Sequence, residues 1–142
     1  MDEPVVLLNE SRENLTLREW MQAANKVCII DFWNARCTRC PAALTKLNHM
    51  ANQHATAFWG ACALAVTIES SPDESADLIA DAYESLNHAY MPYDSKERLK
   101  DELGFTTLPF CVICATDGNV LWKGDPRDDS FHQIVAEIIR NP

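Results

Sequence analysis

The sequence lacks any apolar stretch approaching the roughly 18 residues that a membrane-spanning helix requires. It also lacks the basic amino end of a secretory signal, because Asp2 and Glu3 stand where Lys or Arg would be expected, and the apolar run that follows is short. We therefore expect a cytoplasmic protein with no membrane partner.

Basic residues are few. The chain has 12 Lys and Arg against 21 Asp and Glu, which gives a formal net charge of −9 and a pI near 4.7. A chain of this charge is repelled by phosphate backbones and by anionic lipid surfaces. We expect no nucleic acid partner.

Internal repeats, low-complexity tracts and linkers are also missing, and only four glycines occur in 142 residues. A chain of this length with 47% hydrophobic residues can bury a sizeable core. The sequence therefore predicts a single domain over residues 1–142, and we expect a monomer.

Hydrophobic patterns predict alternating strands and helices. Nearly continuous apolar runs at residues 26–33 and 61–69 are typical of strands covered on both faces, and they run parallel if the helix between them is a crossover. The remaining pattern predicts strands or extended segments at 4–8, 89–94, 108–116 and 119–124, and helices at 16–26, 37–54, 71–87, 95–104 and 128–140. The charged helix 95–104 is expected to present a solvated face. Together these elements predict an α/β sandwich with a mixed sheet.

Six cysteines in a chain without an export signal are expected to be mostly reduced thiols, with one working pair at most. Four of them fall in predicted strands, where free cysteine packs as a small hydrophobe: Cys28, Cys62, Cys111 and Cys114. The other two, Cys37 and Cys40, form a Cys-x-x-Cys motif directly after a buried strand.

Three interpretations of Cys37 and Cys40 are open: a redox pair, half of a zinc site, or two buried thiols. A helix that begins at or just after Cys37, together with Arg36 and Arg39, would stabilise a thiolate there. A closed zinc site needs two further ligands, and the candidates are Cys111 with Cys114, or His49 with His54. Cysteines three apart on a strand point to opposite faces and cannot chelate one ion together, so the zinc interpretation is disfavoured.

Two separated segments resemble the thioredoxin superfamily. "DFWNARCTRC" is similar to its active-site segment, with Asp31, Phe32 and Trp33 in register before the two cysteines. "GFTTLPFCVICATDGNVLWKGDP" is similar to its cis-proline strand and β-hairpin. The resemblance covers residues 15–140 and implies a thioredoxin fold, a central mixed β-sheet flanked by helices on both faces. An enlarged segment at about 70–95 is similar to the TlpA, nucleoredoxin and tryparedoxin branch.

The resemblance implies roles for individual residues. Cys37 would be the nucleophile, Cys40 the resolving thiol that completes a redox disulfide with it, and Asp31 the buried group that takes the proton from Cys40. Pro109, in a cis peptide after Leu108, would present a backbone edge to substrate. The implied substrate-binding residues are Arg36, Thr38, Arg39, Leu108 and Pro109.

The implied activity is thiol-disulfide oxidoreduction on protein disulfides, with no metal and no organic cofactor. The implied partners are disulfide-containing protein substrates and an upstream reductant, either a reductase or a low-molecular-weight dithiol. Arg36 replaces the family's usual Trp, and Thr38-Arg39 replaces Gly-Pro, so the cationic loop predicts a weaker reductant than thioredoxin. The alternative is a binding or adaptor protein that keeps the fold with little or no redox turnover.

Overall fold

The computed structural model describes residues 1–140 and contains seven strands and five helices within that range. In chain order they are β1 (Pro4–Leu7), β2 (Asn14–Thr16), α1 (Leu17–Ala23), β3 (Cys28–Trp33), α2 (Cys40–Gln53), β4 (Phe58–Leu64), α3 (Pro72–Ile79), β5 (Asn87–Met91), α4 (Tyr93–Leu103), β6 (Phe110–Cys114), β7 (Val120–Gly124) and α5 (Asp129–Arg140).

The strands form one sheet in the order β2-β1-β5-β4-β3-β6-β7. The three central strands β5, β4 and β3 are parallel, whereas the pairings of β1 with β2 and β5, and of β6 with β3 and β7, are antiparallel. The predicted mixed sheet and the predicted parallel pairing of β3 with β4 are confirmed.

Helices cover both faces of this sheet and divide the core into two halves. Ile30 and Phe32 of β3 pack on the half covered by α1 and α4, while Ile29 and Trp33 enter the half covered by α2, α3 and α5. Successive side chains of a strand alternate between faces, and β3 is buried on both, which explains its unbroken apolar sequence.

Local signals in the sequence fix two helix ends. Thr16 and Glu19 form a capping box at the start of α1, with hydrogen bonds of 3.0 and 2.9 Å. Gly104 ends α4 in the left-handed conformation, φ 73°, that glycine adopts at little cost.

Several predicted boundaries were wrong: α1 ends at Ala23 rather than at residue 26, β5 covers Asn87–Met91 rather than residues 89–94, and three further differences bear on the site. Helix α2 begins at Cys40 rather than at Cys37, and β4 covers Phe58–Leu64 rather than residues 61–69. The predicted helix 71–87 ends at Ile79. Because β5 is parallel to β4 and pairs Asn87 with Gly60, the chain must return to the start of β4 before β5 can begin.

The segment that makes this return, residues 65–86, is called here the β4–β5 crossover. After α3 the chain turns through Ala80 and Tyr83, which have positive φ, and the backbone N–H of Ser85 donates to Asn48 Oδ1 at 2.8 Å. The segment predicted as an enlargement, about 70–95, thus contains α3, the whole of the central strand β5 and the first residues of α4.

Within residues 1–140, no helix combines the length and the apolar character that crossing a membrane would demand.

Candidate active site

Two consecutive turns connect β3 to α2. Asn34 Oδ1 accepts a hydrogen bond from the backbone N–H of Arg36 at 2.9 Å, and the N–H of Cys37 donates to the Asn34 carbonyl at 3.3 Å. The N–H of Cys40 then donates to the Cys37 carbonyl at 3.4 Å. Asparagine favours such turns because its side chain binds the backbone two residues on. Because these turns occupy the residues before Cys40, α2 begins only at Cys40. Arg39 is its N-cap, and Cys37 lies two residues before Arg39.

A disulfide joins Cys37 and Cys40, with a Cα–Cα distance of 5.4 Å. Cys40 is the first residue of α2 and is fully buried, whereas Cys37 is half-buried and lines two pockets at the surface. The two sulfurs therefore differ in access. Only Cys37 is accessible from the surface, and its role as the attacking thiol stays a prediction.

Asp31 is fully buried on β3, and neither carboxyl oxygen has a hydrogen-bond partner among residues 1–140. It lies between Ile29 and Trp33 in the strand's alternation, so its side chain enters the core half that also contains Cys40. Burial raises the pKa of Asp31 well above its ordinary value, and the negative charge of Asp125 raises it further.

Asp125 follows β7 and is held by Arg127, whose Nε lies 2.9 Å from Asp125 Oδ1. The hydrogen bond from Arg127 is the largest cause of the lowered pKa of Asp125, and the charge of Arg39 contributes as well. The pKa of Asp125 is thus lowered while that of Asp31 is raised.

The Leu108–Pro109 peptide bond is cis, as predicted. Leu108 is half-buried and borders the same surface groove as Cys37, while Pro109 is buried directly before β6. The two predicted motifs, 68 residues apart in the chain between Cys40 and Leu108, meet at one end of the sheet.

The groove beside Cys37 has a volume of about 390 Å³ and will be called the cationic groove. Five predicted site residues line it: Arg36, Cys37, Thr38, Arg39 and Leu108. Asp31, Cys40 and Pro109 lie behind this surface in the interior. The structure therefore brings all eight predicted residues to one end of the sheet, in an exposed and a buried layer.

Sequence reasoning missed Lys96 and Lys100, which line the cationic groove from α4. The interpretation of this helix as a solvated face is wrong for Lys96, which is only 8% exposed. One general rule applies to these lysines: ligand sites in α/β sheets lie at the carboxyl ends of parallel strands, and α4 follows the carboxyl end of β5. The rule could not be used on the sequence, because the parallel pairing of β5 with β4 is known only from the structure.

A second, smaller pocket of about 110 Å³ lies on the other side of Cys37 and will be called the apolar notch. Its apolar walls are Trp33, Pro41, Leu44, Leu78, Ile79 and Tyr83. The Leu78 side chain is 55% exposed, whereas that of the neighbouring Ile79 is buried. The β4–β5 crossover thus supplies one wall of the surface beside Cys37.

The remaining four cysteines are buried free thiols, as predicted. Burial raises the pKa of Cys28 to about 12 and that of Cys114 to about 11, and it also raises the pKa values of Cys62 and Cys111. Cys111 and Cys114 lie in opposite halves of the core. Among residues 1–140, no three His, Cys, Asp or Glu side chains are grouped to hold a metal ion.

The sequence matches no protein-family model and no curated protein. Its structure is nevertheless similar to several solved structures over nearly its whole length. A thiol:disulfide interchange protein from Bacteroides sp. superposes with a TM-score of 0.73 at 14% identity, covering 98% of this chain and 88% of that one.

Two further solved structures are similar to this chain over nearly its whole length. The exposed lipoprotein thioredoxin Etrx1 from Streptococcus pneumoniae has a TM-score of 0.72 at 15% identity, covering 96% of this chain and 99% of the other. The N-terminal domain of PilB from Neisseria gonorrhoeae has a TM-score of 0.68 at 19% identity, covering 97% and 87%. With its mixed sheet, its Cys-x-x-Cys turn after β3 and its cis-proline before β6, this chain has the thioredoxin fold.

Proposed function

We propose that this protein is a thiol-disulfide oxidoreductase that reduces or exchanges protein disulfides through Cys37 and Cys40. The observation that carries the proposal is the unequal exposure of the bonded pair. Cys37 opens onto the cationic groove, whereas Cys40 is fully buried behind it at the first position of α2. One sulfur can therefore meet a substrate and the other can only reach the first sulfur.

In the reductive direction the Cys37 thiolate attacks one sulfur of a substrate disulfide. The substrate S–S bond breaks, a mixed disulfide with Cys37 forms, and the released substrate thiolate takes a proton from water. Cys40 then loses its proton and attacks the Cys37 sulfur, which releases the second substrate thiolate and forms the Cys37–Cys40 bond. The substrate gains two electrons, and a reductase or a low-molecular-weight dithiol returns two electrons to the protein.

Asp31 is suited to receive the Cys40 proton. Its side chain and Cys40 share one half of the core, and burial raises the pKa of the carboxyl toward the range of a useful base. A carboxylate at its ordinary pKa would hold a thiol proton too weakly. We assign Asp31 this role in the resolving step alone, because Cys37 stands at the surface.

Positive charge near Cys37 is expected to stabilise its thiolate. Arg36 and Arg39 flank the cysteine in the turn, and Lys96 and Lys100 line the same groove. A thiolate stabilised in the reduced protein makes the disulfide easier to reduce. We therefore propose that the pair is a weaker reductant than that of thioredoxin.

The decisive experiment is the reduction of insulin by dithiothreitol, followed by turbidity. The wild type should accelerate it, and Cys37→Ser should abolish the acceleration. Cys114→Ala, which removes a buried thiol from the opposite half of the core, should retain it. The adaptor alternative predicts no acceleration by the wild type, and activity unchanged in Cys37→Ser would refute the mechanism.

The substrate and the reductant are open to direct identification. Cys40→Ser should trap Cys37 in mixed disulfides, which mass spectrometry can identify.

We further propose, from the sequence, that the protein is a cytoplasmic monomer, that residues 1–142 form one domain, and that it belongs to the TlpA-like branch. Light scattering of the purified protein and fractionation of cells test the monomer and the compartment.

A further inference from the structure

Positive charge is concentrated beside Cys37, although the protein as a whole is acidic. Four of the 12 Lys and Arg line the cationic groove: Arg36, Arg39, Lys96 and Lys100. No Asp or Glu is among the described residues that line it. A net charge of −9 makes this local concentration a specific feature of the site.

Most of this charge is not neutralised by the protein. Among residues 1–140, the side chains of Arg36 and Arg39 have no carboxylate within 4.0 Å. Lys96 and Lys100 share a single carboxylate, since Glu97 lies 3.0 Å from the first and 4.0 Å from the second. Asp125 is near enough for the charge of Arg39 to lower its pKa, so four cations face two anions, Glu97 and Asp125, and the groove stays positive.

The groove is also held in shape. The Lys96 ammonium stands 4.1 Å from the centre of the Tyr93 ring, a cation–π contact that fixes a largely buried side chain. Phe105, on the floor, stacks on Phe110 with a centroid distance of 4.2 Å. Side chains that are ordered before binding lose less conformational entropy when a ligand binds, so more of the free energy of the charge–charge contacts remains as binding affinity.

We propose that the cationic groove selects substrates in which an acidic peptide segment flanks the reactive disulfide. This inference rests on the proposed function, because the groove borders the attacking sulfur. As Cys37 forms the mixed disulfide, carboxylates next to the substrate cysteine lie against Arg36 and Lys100. The contacts exist in the encounter complex and in the mixed disulfide. Cys40 then attacks the Cys37 sulfur, the bond between Cys37 and the substrate breaks, and the substrate disulfide has become two thiols by gaining two electrons in total.

The test uses disulfide-linked peptides that differ only at two positions next to the cysteine, Asp in one and Asn in the other. Each kcat/KM is divided by the rate of the same peptide with dithiothreitol alone, which removes the intrinsic effect of charge on the disulfide. We expect the wild type to prefer the Asp peptide about fivefold, as two or three exposed charge pairs allow. The preference should shrink at high salt.

The double variant Arg36→Gln with Lys100→Gln should lose this preference. Its matched control is Lys26→Gln with Arg140→Gln, which removes equal charge from exposed positions before β3 and at the end of α5, and it should keep the preference. The ratio of the two peptides is the measurement, since Arg36 also affects Cys37 itself.

Each outcome has one meaning. Equal kcat/KM for both peptides in the wild type, or a preference that survives in the groove variant, overturns the groove proposal and leaves the oxidoreductase intact. Failure of the wild type to reduce either peptide overturns the proposed function and the groove proposal with it.

Discussion

Asp31 lies directly opposite Cys111 on the neighbouring antiparallel strand, and both residues are fully buried. On the other side of β3 its partner is Ala61 of β4, so neither flanking strand places a cation opposite the carboxyl group. After burial, the charge of Asp31 is the next largest cause of the raised pKa of Cys111. The low dielectric at this position therefore raises the pKa values of both groups.

The first prediction concerns the pH dependence of stability. Because the pKa of Asp31 is raised in the folded state, its contribution to stability is complete below the unfolded pKa of about 3.9. It is lost as pH rises from there to the folded pKa, by about 1.4 kcal/mol for each pH unit. Asp31→Asn should lack this slope and should be more stable than the wild type at pH 7.

Urea unfolding of the oxidised protein between pH 4 and pH 8 measures this difference. Asp101→Asn, an exposed position on α4, is the control and should follow the wild-type curve. Parallel curves for Asp31→Asn and the wild type would contradict the buried, proton-binding carboxyl.

The second prediction separates the two chemical steps. Asn at position 31 cannot accept a proton, so Asp31→Asn should slow the resolution of the mixed disulfide by about 100-fold, within the usual range for a general base. The attack by Cys37 should be almost unaffected. Rapid acid quenching followed by mass spectrometry measures both steps, and a mixed disulfide that decays at the wild-type rate would exclude this role.

The third prediction is that one cysteine of six reacts readily after reduction. At pH 7 iodoacetamide should modify Cys37 first, because the burial of Cys28, Cys62, Cys111 and Cys114 both hides these thiols and raises their pKa values. Peptide mapping identifies the site, and denaturant should expose all six. Early modification of any of the four buried thiols in the native protein would be inconsistent with the structure.

The fourth prediction concerns the apolar notch. Leu78→Asp places a charge beside Cys37 and should lower kcat/KM for insulin reduction several-fold, while the free energy of unfolding changes by about 0.5 kcal/mol or less, as is usual for an exposed position. Ile68→Asp is the control, since Ile68 is 77% exposed in the same crossover and outside the notch. Equal effects of the two variants on insulin reduction would show that Leu78 does not contact substrate.

The fifth prediction tests the packing of the core. A Cβ at Gly60 would lie 2.8 Å from Ile30 Cδ1 and 2.8 Å from Trp20 Cη2, both in well-packed positions. Gly60→Ala should therefore destabilise the protein by about 1–3 kcal/mol, as overpacked cores do. Gly104→Ala meets no atom within 4 Å and should cost about 1 kcal/mol through its positive φ alone. A Gly60→Ala variant as stable as the wild type would contradict this packing.

Much of the fold could be predicted because its signals are local. The unbroken apolar run of β3 predicted that strand correctly, and the resemblance of residues 104–126 to the thioredoxin superfamily implied the β-hairpin and the cis-proline. The end of α3 could not be predicted in this way. The periodicity of residues 71–87 suits a longer helix, and only the parallel pairing of β4 with β5 requires the chain to turn back after Ile79.

In the site, too, the residues that are close in sequence could be predicted, and those brought together by strand pairing could not. Cys37 and its flanking arginines are adjacent in sequence, so the sequence pattern alone brings them together. Lys96 and Lys100 reach the cationic groove only because β5 lies beside β4 and directs α4 across the end of the sheet. Long-range pairing of this kind is absent from any local window, and so the two lysines were interpreted as solvent-facing.

The β4–β5 crossover has a consequence for engineering. Its ends are fixed by the pairing of β4 with β5, but the path between them lies at the surface and carries Leu78 to the rim of the apolar notch. The entropic cost of closing a loop grows only slowly with its length. Segments of different length and composition can therefore be grafted there, and a library of such grafts would retarget this scaffold while the chemistry at the sulfur stays constant.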